Sequence, residues 1–178
     1  MNKKQYEDQV NQFIGHRISK VVYFEIDYGD NEYHFFDKPR FDSLDFGLEI
    51  TFSNGDCRSI TWGHEFTQYG LSILNRAFSA FQEVDRLLDV TGKSRWSNLI
   101  GQKIEKSEAF WSWSEELGKP ETRVYYPQDI LFKFENGLSV VISALEIRED
   151  GFIMGMMDHV TVFFEKEVAR SYKCLIRV

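Results

Sequence analysis

Six side chains in this sequence could do nucleophilic or metal chemistry: His16, His34, His64, His159, Cys57 and Cys174. Their spacing does not gather them. His64-Glu65 begins like the H-E-x-x-H zinc helix, but Gln68 stands where the second histidine is needed. Asp158 precedes His159 directly, and adjacent residues of a strand point to opposite faces. Cys57 follows a turn with no histidine close in sequence, and the two cysteines, far apart and without ligand spacing, read as reduced thiols. Asp27-Tyr28-Gly29-Asp30-Asn31-Glu32 has the acid density of a calcium loop but not the twelve-residue frame or its closing bidentate glutamate. Gly151-Phe152-Ile153-Met154-Gly155 is two glycines in an apolar strand, and neither G-x-x-x-x-G-K nor G-x-G-x-x-G occurs. The sequence predicts no catalytic residue, no metal site and no cofactor, and so a protein that is not an enzyme.

The chemistry that remains is recognition. The net charge of −7 repels nucleic acid, whose binding depends on neutralising phosphates. That charge is concentrated. From Glu25 to Glu49 eight acids face only Lys38 and Arg40, a local balance of −6. Phe24, Tyr28, Tyr33, Phe35, Phe36, Phe41 and Phe46 lie in or beside the same segment. Aromatic rings supply contact area and carboxylates steer a basic partner, so the expected contact residues are Asp27, Tyr28, Asp30, Glu32, Tyr33, Phe35 and Asp37. A second patch comes from Trp111 and Trp113, which share a strand face; with Trp62 and His64 they would line a groove.

In size, acidity and the absence of an N-terminal apolar leader, the chain is similar in character to bacterial immunity proteins. That resemblance implies a small cytoplasmic protein that covers a basic toxin, here through the Glu25–Glu49 segment. The alternatives are a small-molecule binder or modest enzyme using the groove, and a structural or oligomeric protein. No stretch approaches ~18 uninterrupted apolar residues, so no membrane helix is expected. Nothing in the pattern fixes an oligomeric state.

The elements that must position these residues come in two similar runs. Phe13-Ile14-Gly15-His16-Arg17-Ile18-Ser19-Lys20 returns 86 residues later as Leu99-Ile100-Gly101-Gln102-Lys103-Ile104-Glu105-Lys106. Leu48-Glu49-Ile50-Thr51-Phe52-Ser53-Asn54-Gly55 returns 82 residues later as Ile130-Leu131-Phe132-Lys133-Phe134-Glu135-Asn136-Gly137. Each run reads as a helix (3–13, and about 83–98 with an interruption at Gly92), a strand after Ile-Gly, and a hairpin closed at Asn-Gly, where both residues accept positive φ. A weaker match sets 78–83 against 160–165, and 73–88 fits either a strand followed by a helix or one amphipathic helix. Strands near 152–157 and 160–164 and a helix over 165–174 close the chain. The expected fold is α+β, predominantly antiparallel β. It comprises two tandem similar repeats, 1–90 and 91–178, related by a pseudo-twofold and packed as one unit.

Overall fold

The computed structural model describes residues 1–26, 29, 36–37, 40–66, 69–78, 86–148 and 150–176. The chain starts with α1 (Lys3–Asn11), held by a reciprocal capping box. The Asn2 side chain accepts from the Gln5 N–H and the Gln5 side chain accepts from the Asn2 N–H, both at 2.9 Å. Tyr6, Val10 and Phe13 bury the face that its period implies.

One sheet runs in the order β6-β5-β4-β1-β7, from β1 (Ile18–Glu25), β4 (Gly47–Phe52), β5 (Cys57–Gly63), β6 (Gly70–Leu74) and β7 (Arg86–Asp89). The other runs β2-β3-β13-β10-β9-β8, from β2 (Phe36–Asp37), β3 (Phe41–Leu44), β8 (Ile104–Glu116), β9 (Lys119–Phe134), β10 (Ser139–Ser143) and β13 (Val160–Phe163). A two-stranded ribbon joins β11 (Leu145–Ile147) to β12 (Ile153–Gly155), and two short helices, α2 (Ser94–Ser97) and α3 (Lys166–Ser171), complete the elements. All of the described strand pairs are antiparallel, so the fold is predominantly antiparallel β with few helices.

The registers of the two sheets run in step. β1 meets β4 with Ile18 opposite Phe52 and an irregularity between Ile18 and Lys20. β8 meets β9 with Ile104 opposite Phe134 and an irregularity between Ile104 and Lys106. Leu48 faces Ile60 and Thr51 faces Cys57, as Ile130 faces Ile142 and Lys133 faces Ser139. The sheets are stitched where Arg17 bridges Lys103. There the Gly15 N–H donates to Ile104 O (2.8 Å) while the Gly101 N–H donates to Ile18 O (2.7 Å). The Ile104 N–H donates to His16 O (2.9 Å) and the Ile18 N–H to Gln102 O (3.4 Å).

The core fills the space between the sheets. Ile18, Leu48, Ile50 and Ile60 from one meet Ile104, Ile130, Phe132 and Ile142 from the other, all fully buried. Phe13 wedges between them, with its ring 5.8 Å from Phe52 and 4.9 Å from Phe132. Burial of a side chain this size contributes about 1.5–3 kcal/mol.

Several local expectations change. At the hairpins only the glycine takes positive φ (Gly55 +89°, Gly137 +82°). The asparagine serves through its side chain, accepting the N–H two residues on, from Asp56 or Leu138, at 3.1 Å. No helix spans 83–98. Residues 86–89 pair instead with β1, whose open edge outweighs a weak local helix propensity, and among the described residues of this stretch only 94–97 are helical. Nor does one helix span 73–88: β6 reaches Leu74, β7 starts at Arg86, and 79–85 lie outside the described residues. β13 flanks β10 as β6 flanks β5, and of the expected match between 78–83 and 160–165 only Phe78 on the first side lies within the described residues.

Gly47 shows how closely the strands approach. A Cβ there would stand 2.4 Å from Ile60 O and 3.1 Å from Thr61 Cα, both backbone atoms of a paired neighbour. Gly47→Ala is expected to lower stability by about 1–3 kcal/mol in urea unfolding. Gly92→Ala, which meets nothing within 4 Å, is expected to leave it unchanged.

Candidate functional site

The β8–β9 hairpin, with strands of 13 and 16 residues, outruns the five-residue β10 beside it. Its inner half belongs to the sheet. Beyond Trp111 and Pro127, which face each other, it continues as a two-stranded ribbon. Trp113 stands opposite Tyr125 and Ser114 opposite Val124, so the first two rings share a face. Trp113 is 40% and Tyr125 50% exposed, and Leu117 at the tip is fully exposed. The Arg123 guanidinium lies over the Trp113 ring, 4.2 Å from its centre, and ion-pairs with Glu115 at 2.8 Å.

At the root of the ribbon, Trp111 turns into the core. Its ring meets Phe66 edge-on at 4.9 Å and Tyr6 at 5.7 Å, and the Lys3 ammonium lies 5.1 Å above it. Two depressions share Lys3 and Trp111. One, of about 340 Å³, runs between residues 107–111 of β8 and the α1 face made by Lys3, Glu7 and Asn11. The other, of about 530 Å³, is bounded by Met1, Asn2, Phe66 and Tyr125. Ser107 fixes the helix against the strand by donating from Oγ to Val10 O at 2.7 Å.

The four residues expected to line one groove divide into two clusters. Trp62 meets Tyr69 edge-on at 5.5 Å and His64 meets it at a tilt at 5.6 Å, and the Trp62 Nε1–H donates to Asp45 O at 2.9 Å. Trp111 and Trp113 belong to the ribbon and its root. The loop after β5 joins the clusters by sending Phe66 to Trp111 and leaving His64 with Trp62.

The acids of the Glu25–Glu49 segment fall into two groups, those outside the described residues and those that the fold buries. Asp27, Tyr28, Asp30, Glu32, Tyr33 and Phe35 lie outside the described residues, and Asp37 is described only through its backbone pairing with Asp42. Of the rest, Glu25, Asp42 and Asp45 are buried, and half-buried Glu49 accepts the Phe78 N–H at 3.0 Å. They are structural. Asp42 Oδ2 accepts from the Tyr23 hydroxyl at 2.7 Å, Tyr23 Oη accepts from the Trp96 Nε1–H at 2.5 Å, and Arg95 binds Asp42 Oδ1 at 2.5 Å. Burial and the Asp42 charge push the Tyr23 pKa well up, so its proton stays on the phenol. A charge count cannot separate such inward acids from solvated ones.

His34 lies outside the described residues, and within them the residues with nucleophilic or ligand chemistry stay dispersed. His16 stacks on Phe52 at 4.8 Å, and His159 lies 3.5 Å from Asp158. Among the described residues no three His, Cys, Asp or Glu side chains could hold a metal ion together. Burial and Glu49 push the Cys57 thiol up to about 11, and burial pushes Cys174 up further, the opposite of an activated thiolate. No helix among the described residues is long and apolar enough to cross a membrane.

Sequence reasoning missed Lys3, Glu7 and Asn11 as one wall of a groove, although their i, i+4, i+8 spacing puts them on one helical face. It also missed Arg123 and Tyr125, whose partnership with Trp113 depends on hairpin register. Comparison with protein-family models, curated proteins and solved structures returns no match.

Proposed function

We propose that this chain is a non-enzymatic protein-binding module, immunity-like in character, that takes a basic protein partner on the β8–β9 ribbon and the groove at its root. One observation carries the reading: the Trp113–Tyr125 pair stands exposed with Arg123 stacked on it. Tryptophan, tyrosine and arginine are the residue types that dominate binding energy at interfaces, and here they form one rigid patch. The net charge of −7 favours encounter with a basic surface. Trp113→Ala combined with Tyr125→Ala is expected to weaken partner capture at least tenfold. It should move the urea midpoint little, because both rings are solvent-facing. Photo-crosslinking from position 113 followed by mass spectrometry identifies the partner, and titration of wild type and double variant at two salt concentrations measures the loss. Equal affinity for both proteins would sink the reading.

A second reading, a small-molecule binder, has its own observation. Trp111 lines the depression at the ribbon's root, and among the described residues its buried Nε1–H and the buried hydroxyl of its neighbour Tyr6 have no hydrogen-bond partner. A ligand carrying a carbonyl or carboxylate would supply the acceptor that they lack.

The frame beneath this surface we read as one unit built twice, 1–90 and 91–178, about a pseudo-twofold at the Arg17–Lys103 bridge. The support is the exchange of partners there: Gly15 to Ile104 against Gly101 to Ile18, and Ile104 to His16 against Ile18 to Gln102. The Ser53 N–H donates to Arg17 O as the Glu135 N–H donates to Lys103 O.

A further inference from the structure

Resting on the protein-binding reading, we infer that the partner is held as an added β-strand: an extended segment carrying a basic residue pairs with the outer edge of β8, beside α1. The molecule holds its own precedent. β7 lies antiparallel on the outer edge of β1, with Asp89, Leu88, Leu87 and Arg86 opposite Val22, Tyr23, Phe24 and Glu25. The spacing of 86 that relates β1 to β8 carries Val22–Glu25 onto Glu108–Trp111. Those residues, with Ser107, form one wall of the 340 Å³ groove. β8 is the terminal strand of its sheet, and among the described residues no strand lies on its outer side.

The backbone supports strand addition. Val21 sends its groups outward, its N–H donating to Thr91 Oγ1 at 3.0 Å and its C=O accepting from the Val90 N–H at 3.1 Å. Ser107 is its counterpart at 86 residues, and alternation puts Ala109 on the same side. Main-chain bonds to these two residues give affinity whatever the segment's sequence, and side-chain pockets on either side give selectivity. The charge of the opposite wall sets that selectivity. Among the described residues Glu7 has no ion pair, while the Lys3 ammonium sits over Trp111, so a lysine or arginine entering the groove meets an unopposed carboxylate. Apolar side chains at alternate positions of the segment would reach Trp111 and, past it, the exposed rings of the ribbon.

The test uses the full chain and two sets of synthetic eight-residue peptides, one alternating Arg or Lys with Val or Tyr, the other alternating Glu with the same residues. Fluorescence anisotropy is expected to show binding of the basic set, at least tenfold tighter than the acidic set. The basic peptides should slow amide hydrogen exchange at Ser107 and Ala109. Ala109→Pro removes one outward N–H, a change that edge strands tolerate, and is expected to reduce peptide binding at least tenfold. Glu7→Gln should reduce it several-fold and flatten its salt dependence. The exchange measurement on wild type keeps the inference open to refutation even if the proline variant misfolds. Equal binding of both peptide sets, no binding, or protection at other amides would overturn strand addition. A dimer in light scattering that Ala109→Pro dissolves would overturn it in favour of a second copy. Partner capture lost with Trp113→Ala/Tyr125→Ala but retained with Ala109→Pro would also overturn it, while leaving the protein-binding reading in place. Capture retained in both variants would remove the two together.

Discussion

Asp42→Ala is expected to cost about 3–5 kcal/mol of folding stability, enough to unfold much of a domain of ordinary stability. The carboxylate is buried and holds three groups in one chain of bonds: the Arg95 guanidinium, the Tyr23 hydroxyl and, through Tyr23, the Trp96 indole. Alanine removes the acceptor and leaves a partly buried cation with a phenol donor beside it. The penalty comes from breaking this buried network more than from the loss of any one attraction. Asp42→Asn keeps an acceptor for one neighbour and should fall between alanine and wild type. Urea unfolding at neutral pH measures both, and near-ultraviolet circular dichroism should lose the Trp96 signal in parallel. A cost below about 1 kcal/mol for Asp42→Ala would show that Arg95 reaches water without it.

Asp129 makes the second large prediction, and its sign is opposite to the usual acid case. This carboxylate is buried, and desolvation lifts its pKa to about 6, despite hydrogen bonds from the Ser143 hydroxyl (2.6 Å) and the Leu175 N–H (2.7 Å). In the unfolded chain an aspartate titrates near ~3.9. Between those values the native protein keeps a proton that the unfolded chain has lost. The stabilisation is therefore complete below about pH 4 and disappears as pH rises through about 6, with a magnitude of as much as about 3 kcal/mol. Asp129→Asn has the same shape without the charge, and its amide oxygen can still accept from Leu175. The difference in unfolding free energy between variant and wild type is expected to favour the variant at pH 7.5 and to shrink by that amount on going to pH 4. Parallel pH curves would refute the assignment.

What could be read in advance followed from local physics. Leu48, Ile50 and Phe52 alternate with polar residues and do face the core, and Asn54-Gly55 and Asn136-Gly137 do close hairpins, because period and turn chemistry act over a few residues. The exposed ribbon was less legible. Trp113 could be named, but its exposure depends on β8 and β9 outrunning β10, which no pattern within 104–134 reports. Asp42 and Asp45 looked like solvent-facing charges because their partners lie elsewhere in the chain: Arg95 for Asp42, and the Ile26 N–H for Asp45 at 3.2 Å. β7 was concealed in the same way, since Arg86–Asp89 becomes a strand only when β1 offers its edge.

The position of β3 has a consequence for how the molecule comes to exist. Phe41 and Phe163 are paired across β3 and β13, about 120 residues apart in sequence, although β2 and β3 lie in the chain between β1 and β4 of the other sheet. Hairpins such as β4–β5 and β9–β10 can close while the chain is still being synthesised. β3 must wait until nearly all of the polypeptide has emerged. Closure of that seam is an expected slow step of folding, set by the entropy of a very long loop rather than by any local barrier. Until it closes, the newborn protein carries an open edge of β3 that other unfinished chains can reach, so its yield in the cell depends on how soon β13 is made.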